Sequence, residues 1–365
     1  MRRNSKWQVA SFKWRGRLRH LTLATRHSSP ILFVVLIVLI CAAPLRGTAQ
    51  DVHFSQFFNV PSALNPGTIG LFDGDYRANG VYRQQWRSVT VPYRTFGIGG
   101  DAHDFAKVKG LGAGAWLYND RAGDSRLSQF HLDLGASWTE HLDSEHQHSI
   151  TLGARVGFTS LTLDNGGLSF DSQYNGFYYD PDRDNGENFK RDGLLHADVS
   201  TGVVYRYHPE ARKLLQVGFG LFNLTKPGIG FLGEPDVPLD MRSDFHIQGA
   251  FPVSERWDLQ PMLHHMGQGK FRELDLGANA RYILLDRYGL NRAVLFGLHM
   301  RAKDAGYLFA GFERDAWTFG ASYDINTSDL VPASRNRGAI EFTAIHIWKK
   351  RSSFPVRFKV CPEQL

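Results

Sequence analysis

Three groups of residues in this 365-residue chain have the types that do chemistry. The first is the run Asp180-Pro181-Asp182-Arg183-Asp184-Asn185-Gly186-Glu187, with carboxylates at every second residue before a glycine. Oxygens so spaced wrap one hard cation in a calcium loop. Here the glycine comes one residue late and no glutamate stands where the last ligand belongs. A solvated acidic turn is therefore the simpler reading, and Asp180, Asp182 and Asp184 are an imperfect calcium set. Just before them, Phe177, Tyr178 and Tyr179 are aromatics of the kind that anchor interfaces. The second group is histidine. His141, His146 and His148 cluster, and His264 and His265 are adjacent, but no spacing matches a compact metal motif. Adjacent histidines on a strand point to opposite faces, so these read as structural or surface groups. The third group is the segment from His53 to Pro66, which carries Phe54, Phe57 and Phe58 and ends in Asn65-Pro66, a pair that starts turns. Its aromatics need burial, as a plug inside the fold, against a partner, or in a tuck beneath it. No GxSxG, HExxH, P-loop or dinucleotide fingerprint is present. Catalysis would need scattered Ser, His and Asp to converge by folding; the reading is not an enzyme, and without a cofactor.

The elements that must position these groups are short and alternate. Leu274, Leu276, Ala278, Ala280 and Tyr282 are interleaved with Glu273, Asp275, Gly277, Asn279 and Arg281. Val294, Phe296, Leu298 and Met300 likewise face away from Gly297, His299 and Arg301. Ile150, Leu152, Ala154, Val156 and Phe158 oppose Thr151, Gly153, Arg155, Gly157 and Thr159. One side suits oil, and the glycine-rich polar side suits a crowded, curved interior. Such alternation over ten-residue stretches is the mark of a transmembrane β-barrel. About fourteen strands are expected, near 76–86, 92–104, 110–118, 126–140, 148–161, 195–207, 213–224, 241–252, 256–266, 271–284, 292–302, 305–313, 316–326 and 338–348. The first, eighth, ninth and twelfth are the least clean, which leaves the count open by about two. Long connections at 162–194, 225–240 and 327–337 all follow odd-numbered strands, hence lie outside the cell if the first strand starts in the periplasm. Trp86, Trp138, Trp257, Trp317, Trp348, Tyr205 and Tyr207 near strand ends suit interfacial girdles. On this facing, arginine is expected to be costly at Phe296 and tolerated at His299.

The pI of 9.2 misleads. The first 49 residues hold nine Lys or Arg and no acid, so the rest has 33 bases against 36 acids, a formal charge of −3. Nucleic-acid binding loses its compositional support. That leader has a basic start, 13 apolar residues from Ile31 to Ala43, and small Gly47 and Ala49 before Gln50. It reads as a cleaved signal peptide, since a spanning helix needs about 20 apolar residues; an uncleaved inner-membrane anchor is the alternative. Cys41 follows bulky Ile40, which does not suit a lipoprotein, and Cys361 alone in the remainder makes no disulfide framework. The expected organisation is a signal peptide at 1–49, a periplasmic or plug segment at 50–75, the barrel at 76–348 and a periplasmic tail at 349–365. That tail carries five bases, Lys349, Lys350, Arg351, Arg357 and Lys359.

The remainder of the chain resembles the PorP/SprF family of Bacteroidetes outer-membrane proteins. Gln50-Asp51-Val52-His53-Phe54-Ser55-Gln56-Phe57, then Pro61 and Leu64-Asn65-Pro66, is similar to the family's QDPHFSQF opening and LNPA segment. Tyr82-Arg83-Gln84-Gln85-Trp86 and Pro92-Tyr93-Arg94-Thr95 resemble its YRNQW and PYKT. Phe251-Pro252-Val253, Leu259-Gln260-Pro261, Gly277-Ala278-Asn279-Ala280-Arg281-Tyr282, Tyr323-Asp324-Ile325-Asn326, Ser328-Asp329-Leu330 and Cys361-Pro362 keep the motif order. Val52 stands where proline is usual and Gly67 where alanine is; neither touches a chemical group. The resemblance implies an outer-membrane component of, or partner to, the type IX secretion system. Its members export or hold at the cell surface cargoes with a type B C-terminal sorting domain, and some serve gliding motility. One member is linked through a peptidoglycan-binding lipoprotein to the periplasmic ring of the machine. The expected partners are such a cargo, type IX components and the lipid bilayer, with no nucleic acid. The alternative is a channel or transporter for small solutes, and a soluble β-adhesin stands third.

Overall fold

A computed structural model describes residues 51–349, except 88–90, 124–126, 165–167, 185, 187–190, 232–236, 288–289 and 330. The leader at 1–49, Gln50, and most of the tail, with Cys361-Pro362, lie outside the described residues. Each segment of alternating sequence forms a strand: β1 (Tyr76–Gln85), β2 (Tyr93–Ala102), β3 (Leu111–Ala122), β4 (Leu127–His141), β5 (His148–Thr162), β6 (Gly193–Glu210), β7 (Lys213–Phe222), β8 (Arg242–Pro252), β9 (Trp257–Gln268), β10 (Phe271–Arg287), β11 (Leu290–Arg301), β12 (Ala305–Arg314), β13 (Trp317–Asn326) and β14 (Arg337–Trp348). They close into one antiparallel barrel in which every strand pairs with its sequence neighbours and β1 pairs with β14. Closure removes every sheet edge, which a bilayer demands because lipid offers backbone groups no hydrogen bonds. Among the described residues no helix is long and apolar enough to cross a membrane.

The two faces of the wall follow the alternation. Phe296 and Leu298 are 59% and 69% exposed on the outer face of β11, whereas His299 and Arg301 beside them are buried. On β10, Leu276 faces out and Asp275 and Asn279 are buried. Tyr76 pairs with Trp348 at the seam, Tyr282 with Trp257, and Trp317 with His346. With Trp138 these aromatics, of which Tyr76, Trp257, Trp317 and Trp348 are exposed, form a belt at one end of the wall, where amphipathic rings suit a lipid headgroup layer. The long connections, after β5, β7 and β13, all leave the opposite end. Barrels of this kind keep long loops outside the cell, so this is the outer end. Turns at the belted end are short: two residues, Ala211 and Arg212, link β6 to β7, and Asp315 and Ala316 link β12 to β13.

Candidate functional site

The lumen is filled by the chain's own N-terminal segment. Residues 51–75 run through the barrel as three single turns, Phe57–Asn59, Pro61–Leu64 and Pro66–Thr68, joined by extended residues. Prolines at the first position of the second and third turns preset φ, and the Asn65 side chain caps the third by accepting from Gly67 N at 2.8 Å. The segment starts near the outer end, where Asp51 N donates to Gln268 Oε1 (2.8 Å) and Asn223 Nδ2 donates to Asp51 Oδ2 (2.9 Å). It reaches the belted end at Ile69 and Gly70, whose backbone meets Ser137 Oγ (2.6 Å) and Asp101 Oδ2 (2.7 Å). Asp75 N then donates to Trp348 O, and β1 begins.

The family-motif residues are the buried heart of this contact. Ser55, Gln56 and Asn65 are 0% exposed. Backbone N–H groups of Ser55 and Gln56 donate to the two carboxylate oxygens of Glu341 at 2.9 and 2.8 Å. Ser55 Oγ donates to Asp324 and accepts from Arg83 (2.5 Å) and Arg301 (2.9 Å). Arg83 also pairs with Glu341 at 2.8 Å and Asp324 at 3.2 Å. Gln56 donates to Glu341 O and Ser322 Oγ and accepts from Thr343 and Asn59. Removing one partner of such a buried ionic set leaves an uncompensated charge, worth about 3–5 kcal/mol.

Apolar contacts fix the rest of the segment. Phe54 meets Trp116 edge-on, and the two pack with Val60 and Val81. Phe57 stacks on His264 at 4.9 Å and Phe58 on His299 at 5.4 Å. Burial first, then Arg301 and Arg83, push the His53 imidazole well below its ordinary range. The sequence leaves open whether these aromatics plug the fold, meet a partner or tuck beneath it; the structure places them in the lumen. His299 corrects one expectation. It lies between Phe58 and Tyr307 and bonds Asn279 Oδ1 at 2.8 Å, so a lumenal arginine there has no room. Lumen-facing is not water-facing when the lumen is full.

Two lumenal glycines are required by the close approach of the segment. A Cβ on Gly202 would lie 2.0 Å from Asn65 Oδ1, and one on Gly153 would lie 2.2 Å from Pro66 O. Arg83, Asp324 and Asn279 fall inside the motifs shared with the family, yet their linear spacing does not tell that they meet. Glu341, Arg301 and Glu273 lie outside those motifs; their only signal is a charge on the polar side of an alternating strand.

The second surface is the long outer loop between β5 and β6. Gln173 is its buried hub, donating to Pro181 O and Arg183 O and accepting from Tyr179 OH. Tyr174 and Tyr179 bridge the loop, and Arg183 donates to Tyr174 O. That frame holds Phe177 at the tip, 91% exposed, with Tyr178 and Tyr179 also exposed beside it. Asp180 and Asp184 each accept from a backbone N–H two residues on, at 3.1 and 3.2 Å, and thereby shape turns. The three carboxylates of the imperfect calcium set do not converge: among the described residues the one grouping of three such ligand atoms within 4.8 Å is His264, Glu273 and Asp275. Asn185 and Glu187 lie outside the described residues. His141 and His146 meet edge-on, and His148 bonds Tyr205 OH, as structural groups do.

A closed fourteen-strand barrel with an apolar outer wall and a charged lumen occupied by its own N-terminal segment is an outer-membrane β-barrel. The chain belongs to the family described as "Type IX secretion system membrane protein PorP/SprF", whose sequence profile matches residues 47–345. No curated protein matches it in sequence. Among solved structures it is similar to the Ralstonia pickettii toluene transporter TbuX, at 10% identity and a TM-score of 0.42 over 82% of this chain and 94% of that one. It is also similar to the CymD monoaromatic hydrocarbon channel, at 10% identity and a TM-score of 0.47 over 84% and 96%. BamA from Haemophilus ducreyi lacking POTRA domains 1-3 gives 9% identity and a TM-score of 0.37 over 75% and 70%. The likeness is one of barrel architecture.

Proposed function

We propose that this barrel docks a type IX cargo bearing a type B sorting domain at its outer mouth, for export or for retention at the cell surface. The observation that carries the reading is the pairing of an occupied lumen with a braced loop that holds an unburied aromatic tip. A buried plug held by ionic and aromatic contacts does not suit free solute passage, the alternative function. Phe177, Tyr178 and Tyr179 are rigid, amphipathic groups of the sort that dominate binding energy, set on a frame that limits the entropy lost on docking. The mechanism is binding, not bond chemistry. The belted end faces type IX components in the periplasm, among them a peptidoglycan-binding lipoprotein; of the basic tail at 349–365, only Lys349 is among the described residues.

Deleting residues 172–190 tests this. The loop lies outside the wall, so the deletant is expected to assemble and reach the outer membrane, while its cargo is released into the medium or retained inside. Unchanged surface cargo in an assembled deletant refutes docking. Loss of a specific solute uptake with cargo intact replaces it with the transporter reading.

A further inference from the structure

Among the described residues, the charged lumen holds a constellation of acids and histidines that the plug does not satisfy. His264 on β9 sets Nε2 2.6 Å from Asp244 Oδ1, and its other ring nitrogen, Nδ1, is turned away from that carboxylate. Nδ1 faces Asp275 Oδ2 at 3.7 Å and makes no hydrogen bond. Asp275 is 0% exposed, and neither of its oxygens has a hydrogen-bond partner; Glu273 Oε1 has none either. Arg301 stands near both, yet its Nε lies 3.3 and 3.5 Å away and makes no hydrogen bond, while its other nitrogens serve Ser55, Asp304 and Asp324. From the enclosed segment, His53 Nδ1 approaches Glu273 Oε2 at 3.7 Å. Ring nitrogens turned on buried carboxylate oxygens, three of which have no hydrogen-bond partner, make an arrangement a cation resolves.

We propose that His264, Glu273 and Asp275, with His53 as the fourth ligand, bind one divalent first-row transition cation that pins the N-terminal segment to the barrel wall. Two imidazoles with two carboxylates suit Zn2+, Fe2+ or Mn2+ better than Ca2+. Ligand atoms around a four-coordinate Zn2+ sit about 3.3 Å apart; those of His264, Glu273 and Asp275 already lie within 4.8 Å of one another, and His53 Nδ1 lies 3.7 Å from Glu273 Oε2. The Asp244–His264 bond is the outer-shell carboxylate–histidine pair that fixes the tautomer of a metal ligand. Cation binding would also offset the surplus of carboxylates over guanidinium groups at this point of the lumen. It joins a residue of the segment to residues of β9 and β10, so it acts as a clasp between plug and wall.

The test uses the full chain folded in detergent, stripped with a chelator and titrated with Co2+. One equivalent is expected to bind with the intense visible band of a four-coordinate ion, displaced by Zn2+. His53→Gln, on the segment and not in the wall, and Asp275→Asn should each weaken binding at least tenfold. Asp244→Asn, which positions His264, should weaken it about 10–100-fold, and Asp182→Asn on the outer loop should leave it unchanged. If Asp275→Asn fails to assemble, His53→Gln and the wild-type spectrum decide alone. The proposal is overturned if the wild-type protein binds no stoichiometric Co2+, as it would were His264 simply doubly protonated. A band of six-coordinate form, or equal affinity in the ligand variants, overturns it too.

Discussion

Phe296 and His299 stand three residues apart on β11 and meet different media. Phe296 is 59% exposed midway along the strand, and Leu290 is exposed on the same face at the belted end. An arginine at Phe296 should cost about 2–4 kcal/mol, and one at Leu290 about 0–1 kcal/mol, because the penalty falls off from the bilayer midplane toward the interface. Denaturant titration of the barrel in lipid vesicles measures both, and equal losses would contradict the facing. His299, by contrast, is a packing residue stacked on Phe58 and Tyr307. Alternation in the sequence told the side it faces and not what it faces, since the occupant comes from a segment more than two hundred residues earlier in the chain. For the same reason His264 reads as an unremarked member of an adjacent pair; its neighbours Glu273 and Asp275 come from the next strand.

Strand order and number were legible because lipid imposes period-2 patterning, and each expected segment is a strand. The ends were less so. β3 continues to Ala122 and β10 to Arg287, beyond the expected 118 and 284, since Asn119, Asp120 and Arg121 carry no apolar alternation past the hydrocarbon. The irregular strands have a physical cause as well. Val81 on β1, Met266 on β9, and Tyr307 and Phe309 on β12 are buried apolar groups on the lumenal side, which blurs the pattern. Val81 packs with Phe54, and Phe309 meets Phe58. In β1 and β12 that noise is the imprint of the plug. Glycine is the complementary imprint. Gly202→Val should drive a side chain into Asn65, which a Cβ alone would approach to 2.0 Å. The expected result is an assembled barrel in which residues 51–75 become open to protease; a fully protected segment would show that the close approach is not required.

At the scale of the molecule, the position of Asp51 bears on processing. It lies among Asn223, Arg242 and Gln268 at the outer end of the lumen, far along the barrel from Asp75. With Asp51 held there by its own backbone N–H, the mature chain is expected to begin just before it: intact mass of the outer-membrane form should match a chain starting at or near Gln50, and a mass that includes residues 1–49 would refute cleavage. The lumenal segment bears on assembly too. β1 and β14 are paired yet lie at opposite ends of the chain, so their meeting closes the longest loop in the protein, the contact that chain entropy resists most. Ser55 and Gln56 touch Arg83 on one side of that seam and Glu341 on the other. In the closed barrel the first residues of the segment thus act as a rivet across the seam, holding the first and last strands to each other.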